Sequence, residues 1–259
     1  MDEAETAMRS CRFLFSLAVA FALLWPPAAL RAERYVVGVE ESQYLPHYGH
    51  EGGAYAGFAR AILDAYFSAK GHNLEYRALP VPRLYLSFIG GGVDFKYPDN
   101  ALWKPEDKAD AAVVYSDPVT NYVDGVSLRP ERKGGGPKSI RTLGIIRGFT
   151  ATAWTREIDA GHVTLVENDS FRGLVEQAIM GRVDGIFANI DVVQHLLTRE
   201  LKTPGALVFD PALPHTGSYY HLSTIKHPHV IADFNAWMRE NAASINALKQ
   251  KHGVETWGN

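Results

Sequence analysis

Ten histidines, one cysteine and a formal net charge of -3 are the raw material for chemistry in this 259-residue chain. His47 and His50 lie in a stretch rich in Gly, Pro and aromatics, and His227 and His229 flank Pro228, so neither pair has the spacing of a helical zinc-binding HExxH motif. His215 and His221 stand apart from them, and neither a metal site nor a cofactor is expected. Ser116, in Ser-Asp-Pro, lacks the Gly-x-Ser-x-Gly setting of an activated nucleophile, and a turn accounts for it. General acid chemistry has Glu41, Asp99 and His47 as candidates, without a decisive pattern around any of them. Polar side chains at strand ends are the more promising set. Lys96, Asn100 and Trp103 follow a strand beginning at 93–95 and could line a cleft, although Trp103 could equally be packing. Asn189 and Asp191 leave the strand Gly-Ile-Phe-Ala, where Asp191 has helix capping as its other role. Arg83, at a helix start, reads from its position alone as a solvated end charge.

The elements that must position these groups follow an N-terminal segment with the order of a secretory signal. Arg9 and Arg12 precede the apolar run 13–25, Phe-Leu-Phe-Ser-Leu-Ala-Val-Ala-Phe-Ala-Leu-Leu-Trp, and Pro and small residues follow up to Ala32. The run is shorter than a bilayer span. Cleavage is expected after Ala32, with Ala29 as the alternative, and the acidic stretch before Met8 makes Met8 an alternative start. Cys11 would leave with the signal, so the mature protein has no disulfide. The charge of -3 is the same with or without residues 1–32, and this mixed-sign balance does not point to nucleic-acid or membrane-surface binding. A monomer that is not membrane-inserted is expected.

The mature part reads as two similar halves. Strand from Tyr35, helix 57–70 closed by Gly71, strand Leu-Glu-Tyr-Arg-Ala-Leu, helix 81–89 with Pro82 in its first turn, and strand from Val93 make one α/β unit. Strand 139–146, a helix opened by 148–151, strand 162–166, helix 170–180 and the strand Gly-Ile-Phe-Ala make the second. Gly91-Gly92-Val93-Asp94 and Gly181-Arg182-Val183-Asp184 close the second helix of each unit, about 90 residues apart. A Gly-rich linker at 128–138 marks the crossing between halves, a return is expected near 209–215, and the strand Tyr-Tyr-His-Leu-Ser-Thr and helices 230–238 and 243–250 complete the chain.

Seven segments in order resemble the family 3 extracellular solute-binding proteins, which serve polar amino-acid importers of the ABC type: Val-Gly-Val-Glu-Glu-Ser-Gln-Tyr-Leu-Pro-His at the first strand, Gly-Phe-Ala-Arg-Ala-Ile-Leu in the first helix, Leu-Ser-Phe-Ile-Gly-Gly-Gly-Val-Asp-Phe, Tyr-Ser-Asp-Pro-Val at 115–119, Leu-Gly-Ile-Ile-Arg-Gly-Phe-Thr, Leu-Val-Glu-Gln-Ala-Ile-Met-Gly-Arg-Val-Asp-Gly-Ile-Phe-Ala-Asn, and Lys-Gln-Lys-His-Gly in the last helix. The resemblance implies an α/β fold of two lobes, each with a mixed, mostly parallel sheet, joined by two crossing strands: lobe 1 at 33–128 plus 212–259, lobe 2 at 129–211. It implies Tyr44 as an aromatic lid, with lobe-one core as its other role, and an anionic ligand end held by Arg147 with Gly148, Phe149 and Thr150 at a helix N-terminus, with Thr150 as a plain cap the alternative. Val-Pro-Arg-Leu at 81–84 resembles the proline-plus-arginine segment of a divergent branch of the family, which would direct the Arg83 guanidinium into the cleft between the lobes. The family's amino-acid clamp is an Arg after the third strand and an Asp after the lobe-two strand. Here 97–108 contains no Arg and Asn189 replaces the Asp, so an ordinary α-amino acid is disfavoured and a small polar or anionic solute is expected. An ABC permease is the implied partner, with a membrane sensor as an alternative. Periplasmic dehydratases of cyclohexadienyl acids, which share the fold, are the enzymatic alternative.

Overall fold

Two βαβαβ units in succession determine the architecture, which the computed structural model describes over residues 32–254. The expected signal segment lies outside the described residues except for Ala32. The first unit is β1 (Arg34–Glu40), the hairpin β2 (Gly49–Glu51) and β3 (Ala54–Ala56), α1 (Phe58–Ala69), β4 (Asn73–Leu79), α2 (Val81–Ile89) and β5 (Phe95–Asp99). Next come β6 (Val114–Tyr115) and the nine-residue β7 (Thr120–Leu128). The second unit is β8 (Thr142–Ile146), α3 (Thr155–Asp159), β9 (Thr164–Asn168), α4 (Phe171–Ile179) and β10 (Gly185–Asn189). Helix α5 (Ile190–His195), β11 (Val208–Phe209), the nine-residue β12 (Thr216–Thr224), α6 (Pro228–Glu240) and α7 (Ala242–His252) end the described chain.

The helices form because their apolar positions fall on one face. In α1, Phe58, Ile62, Leu63, Tyr66 and Phe67 are buried, and in α4, Phe171, Leu174, Val175 and Ala178 are buried. Ser170 caps α4 by accepting from Gly173 N–H at 3.0 Å. The helix expected to open at 148–151 starts later: residues 147–148 make a turn, 152–154 a 3₁₀ turn, and α3 begins at Thr155. Gly148 sits at φ +85°, which is incompatible with a right-handed helix.

One sheet path runs β4-β1-β5-β12-β7-β10-β8-β9. Each unit places its first strand in the middle, its second outside and its third inside, with parallel pairing throughout. The inner strands are joined by β12 and β7, which pair antiparallel to each other over Thr216–Tyr220 and Thr120–Asp124. Strand β12 continues against β5, while β7 continues against β10. Reversal of the crossover direction at β1 and again at β8 makes a switch point in each unit, with the strand C-termini opening a crevice there.

The repeated Gly-x-Val-Asp has a structural cause. Gly91 and Gly181 take φ of +73° and +69° to end their helices. Asp94 then accepts from Val36 N–H at 2.8 Å, and Asp184 accepts from Arg141 and Thr142 N–H, both at 2.8 Å. Each carboxylate thus pins the start of the neighbouring central strand. Burial pushes both carboxyls up, but these amide donors, with Lys226 and His227 at Asp94 and Arg132 at Asp184, hold them below the usual carboxylate range.

Asp184→Ala should therefore lower unfolding stability by about 1–3 kcal/mol, since several donors lose a charged acceptor. Urea denaturation at pH 7 measures it. Because these carboxyls are depressed in the folded state, their contribution is present above the ordinary Asp value and is lost as pH falls through the folded one, so the wild-type advantage over Asp184→Ala should shrink in acid.

Candidate functional site

Both switch points feed one cavity. The C-terminal end of β1 contributes Glu40, and the loop after it contributes Tyr44 and Tyr48. Val81 and Tyr85 come from the start of α2, and Trp103 from the segment after β5. The turn after β8 supplies Gly148, Phe149 and Thr150, while the joining strands supply Asp124 and Tyr220. About 30 Å³ of open volume remains between these groups, room for no more than a few waters, so the walls stand close together. Gly148 lets the two units approach: a Cβ there would meet Pro82 Cδ at 3.0 Å and Val81 Cβ at 3.2 Å.

The wall is largely aromatic. Tyr44 stacks on Tyr48 with centroids 5.1 Å apart and meets Phe149 edge-on at 5.6 Å, and Tyr220 stacks on Tyr122 at 4.5 Å. Burial pushes the phenols of Tyr44, Tyr48 and Tyr220 well above their usual range, so they remain neutral donors and acceptors. Tyr48 donates to Glu40 Oε2. Burial raises the Glu40 carboxyl, against the pull of Lys96 and the Tyr48 hydroxyl. Asp124 Oδ1 is buried without a hydrogen-bond partner, and burial with the nearby Glu40 pushes this carboxyl up to about 8.

Behind Tyr85 and Trp103 lies a second charged group. Lys96, fully buried, donates to Pro98 O at 2.7 Å and to Asp99 Oδ1 at 3.2 Å, with its Nζ 4.6 Å from the Tyr85 ring centroid and 5.6 Å from that of Trp103. Lys108 joins the same Asp99 Oδ1 at 3.4 Å and Asn100 O at 2.6 Å, and Ser223 donates to Asp99 Oδ2 at 2.6 Å.

The cavity brings together Tyr44, Trp103, Gly148, Phe149 and Thr150 from the residues singled out in the sequence. The others lie elsewhere. Arg147 turns to Asp169 at 2.6 Å and Glu167 at 2.7 Å, with 53% of its side chain exposed, and Arg83 is exposed on α2. Phe149 N–H is already taken by Ile146 O at 2.9 Å, so the chain makes a tight turn over 146–149 and not the helix N-terminus expected to hold an anion. Asn100 is occupied by Ser218, Tyr219 and Leu102.

Asn189 caps α5 through Oδ1, which accepts from Asp191 N–H at 2.9 Å. Its Nδ2 donates to His47 Nε2 and to Tyr220 Oη, each at 3.2 Å, and its own N–H donates to Tyr44 Oη at 2.9 Å. The group at the clamp position is thus spent on holding the loop after β1 against the second unit. Burial pushes His47 down to about 3, so the imidazole stays neutral and can accept at Nε2. Asp191, in the first turn of α5, lines a shallow groove with Pro46, His195 and Arg199.

Glu40, Tyr48, Val81, Tyr85, Asp124 and Tyr220 complete the lining without having stood out in the sequence. Glu40 had one signal, its place as the last residue of a buried parallel strand. Among the acid candidates from the sequence, Asp99 is locked between two lysines and Glu41 is exposed, so the adjacent Glu40 is the one that reaches the cavity.

No protein-family model matches the sequence, and no curated protein matches it. Solved structures match over most of both chains. A binding component of an ABC transporter from Wolinella succinogenes, complexed with lysine, superposes with a TM-score of 0.71 at 18% identity, over 87% of this chain and 97% of that one. The fold is that of the two-lobed periplasmic binding proteins. An ancestral arginine-binding protein bound to arginine shares this binding-protein fold at TM-score 0.69 and 17% identity, covering 84% of this chain and 97% of its own. So does an ancestral amino acid-binding protein that is a precursor of cyclohexadienyl dehydratase, at 0.66 and 16%, covering 84% and 94%.

The Asn189 bonds make a direct test of how the binding-protein fold is held together here. Asn189→Ala should cost about 1–3 kcal/mol, combining a lost cap with acceptors left buried at His47 and Tyr220. Differential scanning calorimetry should show the lower midpoint, and an unchanged midpoint would mean that this network contributes nothing to the folded state.

Proposed function

We propose that the chain is a solute-binding protein, which captures a small polar molecule between two lobes and delivers it to an ABC importer. One observation carries this reading: the cavity is lined from the strand ends of both α/β units and from the two strands that join them, so occupancy and closure are the same event. The lobes are 33–128 with 212–259, and 129–211. Strands β7 and β12, which pair between the units, support that division. Solved neighbours that bind arginine or lysine on the same fold support an amino acid or a related nitrogenous compound as the solute class. The N-terminal apolar run behind Arg9 and Arg12 supports export to the periplasm. Among the described residues, no helix is long and apolar enough to cross a membrane.

An enzyme on the same scaffold is the second reading, favoured by the raised Asp124 carboxyl beside Glu40 and by the dehydratase precursor among the neighbours. A dehydratase that acts on an acid would have to bring its substrate carboxylate against these two acids, with no basic side chain in the lining. Binding without turnover is therefore the function assigned.

A screen of amino acids, amines and organic acids by thermal shift should find a solute that stabilises the protein saturably, by about 2.7 kcal/mol at 100 times its dissociation constant, and that reduces the radius of gyration in X-ray scattering. In calorimetry with that solute, Gly148→Ala should weaken affinity about tenfold, because a Cβ at positive φ against Pro82 costs roughly 1–2 kcal/mol of closure. Chemical change of the bound solute would overturn the binding reading in favour of catalysis.

A further inference from the structure

We propose that the cavity is a cation site: it takes a small organic ammonium or guanidinium ion, whose positive group lodges against the Asp124 carboxylate inside the ring wall. The assignment deepens the solute-binding reading and rests on it. Three observations converge. First, the lining carries two carboxyls, Glu40 and Asp124, and no Lys or Arg. Second, the charges around Glu40 balance without a ligand. Asp99 is shared by Lys96 and Lys108, and Lys96 also draws on Glu40, so two acids meet two bases. Asp124 is left over, with Oδ1 buried and unpartnered. A buried carboxylate without a partner is costly, and a ligand cation supplies the missing charge. Third, Tyr44, Tyr48, Tyr85, Trp103, Phe149 and Tyr220 present aromatic rings around the same space, and ring faces attract cations while excluding water.

Charge at Asp124 then follows occupancy. Burial and Glu40 push its carboxyl up to about 8, so in the free protein at neutral pH it holds a proton. The groups that act on it are Glu40 from β1, Tyr44 from the following loop, Tyr122 from its own strand and Tyr220 from β12; its register partners Asn189 on β10 and Thr216 on β12 carry no charge. Burial keeps all three phenols neutral, and Glu40 has Lys96 and the Tyr48 hydroxyl to favour its charged form while Asp124 has no such partner, so Asp124 is the group that gives up its proton to solvent when a cation binds.

The test uses four probes of similar size with the mature protein: L-arginine, its uncharged-side-chain analogue L-citrulline, agmatine, which is arginine without the carboxylate, and L-glutamate. Calorimetry should show arginine or agmatine binding at least about tenfold more tightly than citrulline and glutamate. Repeating the titration at pH 6.5 in buffers of different ionisation enthalpy should show about one proton released per cation bound, with affinity rising by up to tenfold per pH unit below about 8. Asp124→Asn, which keeps the shape, should lose about tenfold or more in cation affinity and abolish the proton release. Charge-blind binding among the probes, a non-cationic solute from the wider screen, or no proton release from wild-type protein would each overturn the cation assignment while leaving solute binding intact. Absence of binding and of compaction with every solute in that screen would overturn the solute-binding reading itself, and the cation site with it.

Discussion

Antiparallel pairing of β7 with β12 is the constraint on which the rest of the molecule depends. Each α/β unit alone has a parallel sheet whose inner edge would be open, and an unpaired edge needs a partner strand. The two nine-residue strands cover both inner edges and pair with each other, so the units are joined through backbone hydrogen bonds and not only through side chains. Crossing between units at this place aims both sets of strand C-termini at one space.

Function at that space is an outcome of position more than of any local motif. Asp124 lies at the end of the β7 segment that pairs with β12, opposite Thr216, and also pairs with Asn189 of β10. The burial of its Oδ1 is thus imposed by three strands, and burial together with Glu40 pushes its carboxyl up. Aromatic rings from the loop after β1, from α2 and from the turn after β8 close over it. A site of this kind combines a hidden charge with a polarisable wall, which suits a ligand whose own charge is diffuse or bulky.

Contact between the two units has its own supports, of which Tyr44 and Gly148 also line the cavity. Asn189 ties the loop after β1 to the second unit through Tyr44 and His47, and Gly148 permits the turn after β8 to rest on Val81 and Pro82. Because burial keeps His47 neutral well below physiological pH, this tie does not change protonation across the range in which the Asp124 carboxyl does. The tie between the units and the raised carboxyl thus lie on different residues.

Local pattern was enough to recognise the two α/β units, the helices at 58–69 and 171–179, and the glycines that end them, because a 3.6-residue apolar period and a left-handed cap are properties of contiguous residues. The Gly-x-Val-Asp repeat was legible as a repeat, while the use of Asp94 and Asp184 to pin β1 and β8 needed the parallel register. Strand β7 was not legible: Thr-Asn-Tyr-Val-Asp-Gly-Val-Ser-Leu contains Asn, Asp and Gly, which disfavour strands, and its extended form is stabilised by neighbours on both sides. Arg147 and Glu40 illustrate the same limit at the site. A sequence reports that a charge exists near a strand end, but only the packing decides that Arg147 finds Glu167 and Asp169 at the surface while Glu40 is enclosed, since burial and charge pairing depend on residues far away in the chain.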